Sequence, residues 1–243
     1  MPSPIPRFAA ALLIACCGVV HGGRPLNVED AGVNDPGEGH FEAWLDAVEG
    51  AGTTLNLAPA WSPRRGVELS AGLARSPDRN DTASAVQAKI QPGATTAGVC
   101  AVAAIAGIGW THAGGGTSPY ATGVSSCTTP LGALHLNLGA RREPGDGWLP
   151  TWGIAIERTA GAHAVHVEAF GERRAKPTLR AGVRRDLDRR WQLDGTIGHA
   201  DGAILMSVGF ERSFHLRRAS ARSPCSPTSI HSPSSCGPPS CTA

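Results

Sequence analysis

Residues 178–214 alternate apolar and polar side chains in three successive segments, TLRAGVRRD, WQLDGTIG and AILMSVGFERSF. In the last, Ile204, Met206, Val208, Phe210 and Phe214 share one parity, interrupted by Arg212, while Ser207, Gly209, Glu211 and Ser213 take the other. Successive strand side chains point to opposite faces, so each segment is a strand with one oily and one polar side. The connectors DLDRR and ADG are short, which makes the three segments antiparallel neighbours.

The start of the chain indicates which medium the oily side meets. Arg7 precedes an uninterrupted apolar run over 8–20, and Gly22 and Gly23 follow it. That is the pattern of a secretory signal peptide, shorter than the roughly 20 residues a spanning helix needs. Cleavage after Gly22 is the first reading. The second is a lipoprotein box, LIAC, which would leave a lipidated Cys16. No later segment reads as a membrane helix, so an exported chain that enters a membrane must do so as a closed barrel. Gly 31 and Pro 19 against Met 2 and 17% charged residues favour turns and strands over long helices. A net charge of +2, with its basic residues scattered, gives no reason to expect a nucleic-acid partner.

Twelve or so alternating segments can be marked between His40 and Phe214, an even number that would return both ends of a barrel to the periplasm. The expected fold is therefore all-β: a single antiparallel up-and-down transmembrane barrel. The expected organisation is a signal peptide at 1–22, a periplasmic arm at 23–39, the barrel at 40–214 and a disordered Ser/Pro/Cys-rich tail at 215–243. The linkers RSPDRND, THAGGGTSP and REPGDG after the third, fifth and seventh segments are longer than SPRR or TAGA. That sidedness suits an outer-membrane barrel with long outer loops. Trp61, Trp110, Trp152 and Trp191 fall near strand ends, with Trp148 in an adjoining loop, where lipid headgroups would meet them. Trp44 has the inward parity.

That inward parity also collects the residues expected to line the lumen: Glu42, Asp46, Glu68, Gln87, Lys89, His135, Asn137, Arg141, Glu157, His166, Glu168, Arg180, Arg184, Asp194 and Glu211. Charges of both signs on one face must pair or be hydrated. They either fill a narrow lumen as a salt-bridged network or line a small aqueous path. No catalytic arrangement is expected, because His135 and His166 point inward and G-x-S-x-G does not occur. No metal, cofactor or His ligand spacing is read from the sequence either. If β-strands five and six form a hairpin centred on Ala113 and Gly114, Cys100 faces Cys127, and an oxidising compartment would join them as a disulfide.

RPLNVEDAG, GEGHFEAW, LHLNLGA, AKPTLRAGV and RWQLDGTIG resemble a family of proteobacterial outer-membrane barrels related to the meta-pathway phenol-degradation type. The resemblance spans about residues 24–214. It implies outer-membrane lipid and the barrel-assembly machinery as partners, passage of small solutes, and a chain ending on an aromatic such as Phe214. The Ser/Pro/Cys-rich tail departs from that pattern. Passive transport of small solutes is thus the leading expectation. Its rivals are a non-transporting structural or binding barrel and a soluble periplasmic β-sandwich.

Overall fold

The computed structural model describes residues 26–93, 100–112, 116–143, 145, 147–173 and 175–216. The signal peptide and nearly all of the tail expected from the sequence lie outside these residues. Twelve strands follow in order: β1 (Glu38–Val48), β2 (Gly52–Arg64), β3 (Val67–Ser76), β4 (Asp81–Ile90), β5 (Ala101–Thr111), β6 (Thr117–Thr129), β7 (Gly132–Glu143), β8 (Gly147–Ala160), β9 (His163–Glu172), β10 (Thr178–Asp186), β11 (Trp191–Ala200) and β12 (Ala203–His215).

Each strand pairs antiparallel with its chain neighbour, and β1 closes on β12 from Glu38↔His215 to Val48↔Leu205. Closure satisfies the backbone groups that an open sheet would leave at its two edges. It also removes the two-sheet sandwich kept open by the sequence. The barrel begins at Glu38 and ends at His215, slightly beyond the expected 40–214, because end residues complete the β1–β12 ladder.

Side-chain polarity follows the pleat. Leu136, Leu138, Ile154, Val165, Val167, Ile197, Met206 and Val208 are exposed, whereas buried polar and charged groups occupy the opposite parity. Leu138 is 73% exposed, an arrangement that only an apolar surrounding makes favourable over a belt this wide. Aromatic rings gather at both ends of that belt. Phe41, Trp61, Trp191 and Phe210 lie near the end holding the termini, with Arg212 stacked 5.2 Å from the Trp191 ring. Trp110, Trp148 and Trp152 lie near the other end. Trp148 belongs to β8 and not to a loop, since it pairs with Arg142.

Connections are shorter than the linkers read from the sequence, because strands extend into them. The β3–β4 link is reduced to a 3-10 turn, Pro77–Arg79, and Asn80. The β11–β12 turn uses Asp201 and Gly202, both at positive φ (46° and 94°), the twist-matched geometry that an Asp-Gly pair favours. The links after β3, β5 and β7 (77–80, 112–116 and 144–146) are longer than those after β2 and β8 (65–66 and 161–162), as expected, but the longest, 91–100, lies at the end holding the termini.

Candidate functional site

The stretch preceding β1, expected as a periplasmic arm, enters the barrel instead. Its Asn, Asp, Gly and Pro content gives it no ladder partners, so its buried N–H groups must find acceptors elsewhere. The inner wall supplies them. Glu168 Oε2 accepts from the backbone N–H of Asn27 (2.7 Å) and of Val28 (2.9 Å). Asn137 makes a reciprocal pair with Glu29: its Oδ1 accepts the Glu29 N–H and its Nδ2 donates to the Glu29 carbonyl, both at 2.8 Å. Ser126 Oγ accepts the Ala31 N–H at 2.8 Å, and Glu68 Oε2 accepts from Asn34 N and Nδ2 at 3.1 and 2.8 Å. Lys89 Nζ sits 2.7 Å from Glu29 Oε2. Residues 26–37 therefore form a strap that crosses the lumen from β9 to β3 before turning into β1.

Apolar packing supports the same path. Val28 and Ala31 are almost completely buried, and Ala31 joins Ala103, Ile105 and Val124 in a small core within the barrel. Val28 lies over Gly153, where an added Cβ would come within 2.9 Å of Val28 Cγ2. Other inner-face glycines receive large side chains in the same way. A Cβ at Gly182 would lie 2.4 Å from the His166 ring, and one at Gly209 would lie 2.7 Å from Trp44 Cβ.

Of the residues with inward parity, Glu42, Glu68, Lys89, His135, Asn137, Glu157, His166, Glu168, Arg180, Arg184 and Asp194 are buried inside. Asp46, Gln87, Arg141 and Glu211 are half-buried on the same parity. The structure brings several together. Arg180 lies 3.9 Å from Glu168 and 3.7 Å from Asp46, and donates to Thr196 Oγ1 at 2.7 Å. Arg184 pairs with Glu157 at 3.3 Å. Asp46 Oδ2 also accepts from Trp44 Nε1 and Asn56 Nδ2, each at 2.9 Å. Arg141 is apart from these, near the end opposite the termini, where it pairs with Glu172 at 2.7 Å and with Glu143. Cys100 and Cys127 form a disulfide across the start of β5 and the end of β6, in the expected register: Ala101↔Ser126 is the adjacent pair.

Ser126 Oγ and His135 Nδ1 are 2.8 Å apart, a contact that resembles a nucleophile and its base. Ser126 is already engaged by the strap through Ala31, and neither residue lines either of the two cavities that flank the strap. The pair anchors the strap. Glu29, Asp30, Asn34, Ser126 and Glu172 were not among the residues marked from sequence. The first three belong to a segment with no period, and Glu172 falls just past HAVHVEAF, the alternating run over 163–170.

Two cavities flank the strap. One, of about 450 Å³, lies toward the end opposite the termini and is lined in part by Gln87, Tyr120, Thr122, Asn137, Thr151 and Phe170. The other, of about 230 Å³, lies toward the termini and is lined in part by Glu42, Trp44, Glu68, Ser70, Asp30 and Lys89. Asn27, Val28, Glu29 and Gln87 border both. The lumen is thus two polar chambers separated by the strap, beside a wall filled by the Arg180 and Arg184 ion pairs.

A family model for the uncharacterised conserved protein UCP029691 matches residues 12–203. The chain belongs to that family. The match spans the strap and eleven of the strands. No curated protein matches in sequence. Among solved structures, the KdgM porin in complex with disordered oligogalacturonate is similar with a TM-score of 0.61 at 14% identity, covering 72% of this chain and 99% of that one. A second KdgM porin structure gives 0.58 at 16% identity, with 72% and 99% covered. The Acinetobacter baumannii outer membrane protein Omp33 gives 0.50 at 10%, with 74% and 100% covered. At these identities the likeness is one of fold: this chain shares the closed antiparallel barrel of those small porins.

Proposed function

We propose that the protein is an exported outer-membrane barrel that passes small solutes between the outside and the periplasm, through a lumen narrowed by its own strap. The observation that carries this reading is the pair of polar cavities meeting at Asn27, Val28, Glu29 and Gln87, inside a wall whose outer face is apolar. A barrel that served only as a membrane anchor has no need of space on both sides of a central segment. The residues marked from sequence, from Glu42 to Glu211, then line the path or brace its wall. The KdgM porin holding oligogalacturonate supports solute passage as a use of this fold. The motif resemblance to the phenol-degradation type supports it too.

In this reading the leader at 1–22 is removed on export. Lipid surrounds the apolar belt, and the barrel-assembly machinery inserts the chain. The even strand number returns both termini to one side, which in this reading is the periplasm, with the smaller chamber toward it. No reaction is assigned to the lumen. The second reading is a permanently plugged structural barrel, favoured by the number of strap N–H groups held by wall acceptors. Planar bilayers decide between them. The expected result is discrete, small conductance steps from protein whose heat-modifiable gel mobility proves that it is folded. Folded, inserted protein without channel events would refute transport and leave the plugged barrel.

A further inference from the structure

The identity of the solute can be taken further, on the footing of the pore reading above. Between its charged borders the larger chamber has an uncharged stretch of wall. Thr122 and Thr151 offer hydroxyl groups there, the Gln87 and Asn137 amides offer the donor and acceptor sites that Tyr120 and Glu29 do not occupy, and Tyr120 and Phe170 offer ring surface. The charged groups that border it are matched: Arg141 by Glu172 and Glu143, Lys176 by Asp201 at 3.1 Å, and Glu29 by Lys89 at 2.7 Å. Among the described residues, the cationic side chains that border the chamber, Arg141 and Lys176, each already face a carboxylate.

Beyond the strap the balance turns negative. The smaller chamber presents Glu29, Asp30, Glu42 and Glu68 against Lys89. An anion moving from the first chamber to the second would meet a field of its own sign in a narrow, low-dielectric passage. Groups that both donate and accept hydrogen bonds, set beside flat aromatic faces, match a ligand with many hydroxyls and exposed C–H faces. The cavity, about 450 Å³, falls within the roughly 300–1,000 Å³ of small-molecule sites.

We propose that the larger chamber is a binding site for uncharged polyhydroxylated solutes the size of a small sugar, and that it discriminates against their carboxylated counterparts. Lactose and lactobionate, which share a galactose ring, are suitable probes. The second unit is a glucose ring in one and an open-chain gluconate carrying the carboxylate in the other, and lactitol, open-chain and neutral, controls for the ring opening. Titration calorimetry on the folded full-length protein in detergent would show lactose binding at least tenfold tighter than lactobionate. In bilayers, lactose would interrupt the ion current and lactobionate would not.

Phe170→Ala removes ring surface and is expected to weaken lactose binding about tenfold. Thr151→Val removes one hydroxyl with little change in volume and should weaken it severalfold. Both variants should retain heat-modifiable mobility, and loss of folding in one leaves the other to decide. Lactobionate binding as tightly as lactose, or no calorimetric signal from either, would overturn the proposal. Channel steps without any sugar binding would remove the site and keep the pore. Lactose binding without channel steps would keep the site and remove transport.

Discussion

Glu168 is the acceptor on which the strap's first residues depend, so Glu168→Gln tests the strap directly. The side chain is 2% exposed, and one of its oxygens takes the backbone N–H groups of both Asn27 and Val28. A hydrogen bond to an ionised acceptor contributes about 1.5–3 kcal/mol and one to a neutral acceptor about 0.5–1.5 kcal/mol. Neutralising Glu168 therefore removes about 1–1.5 kcal/mol from each bond, or about 2–3 kcal/mol for the pair. Shape is conserved and Arg180 keeps Asp46 at 3.7 Å, so the wall should hold. A local opening cheaper by that amount is populated roughly 30- to 150-fold more often. Hydrogen exchange read by mass spectrometry on a peptide covering 26–36 is the assay, with the strand peptides as internal reference. Strap amides exchanging at the wild-type rate would refute the claim that this carboxylate pins the segment. Uniformly faster exchange throughout the barrel would instead make Glu168 a wall residue acting through Arg180.

Gly153→Ala should displace the strap by crowding, since its Cβ would meet Val28 Cγ2 at 2.9 Å; overpacking of this kind costs about 1–3 kcal/mol. Adding Val28→Ala should restore wild-type exchange of the strap, and failure of that rescue would place the clash elsewhere. Cys100→Ser should lower the temperature at which gel mobility shifts, reflecting a loss of about 3 kcal/mol for a disulfide closing a loop with a separation of 27. Dithiothreitol should do the same to the parent protein. Asp78 accepts from Thr53 N and Oγ1 at 2.7 and 3.1 Å, and the backbone bond foremost, with the hydroxyl, holds its carboxyl below the ordinary 3.8. A depressed pKa means that the contact stabilises the folded state above that value and is lost as pH falls through the lower, folded one. Exchange of the Thr53 amide against pH checks this, and Asp78→Asn should abolish the pH dependence.

The barrel was legible because a membrane leaves one solution for a strand: alternate residues must be apolar over the whole crossing. That single rule put Leu193 and Ile197 outside and Asp194 and Thr196 inside, while the Cys100–Cys127 pairing came from centring a hairpin on Ala113 and Gly114. Strand ends were less legible, because Thr117, Ser118 and Pro119 look like a turn and are held in β6 by pairing with β5. The strap escaped altogether. RPLNVEDAG has no period, and its place is set by Glu168, Asn137, Ser126 and Glu68, which lie 34 to 141 residues away along the chain. A buried carboxylate in excess of its cationic partners was the one available sign. Glu68 and Glu168 both carry inward parity, and each accepts hydrogen bonds from the strap.

That separation also orders assembly. The strap's acceptors belong to β3, β6, β7 and β9, so they converge on one path only when the sheet has curled and β1 has met β12. Before closure, docking would fix more than 100 residues of intervening chain for a few hydrogen bonds, against a loop-closure cost that is not yet offset. After closure the same bonds form within a preorganised cage, and the hydrogen-bonding groups of Glu168 and Lys89 in a low-dielectric lumen favour entry of the segment that carries their partners. Strand pairing therefore precedes strap docking. Pulse-labelled exchange during refolding into detergent should show β1 and β12 amides protected while those of Asn27 and Val28 remain open. Protection in the opposite order would mean that the sheet wraps around a pre-formed strap, and the strap would then be a folding nucleus and not a late insert.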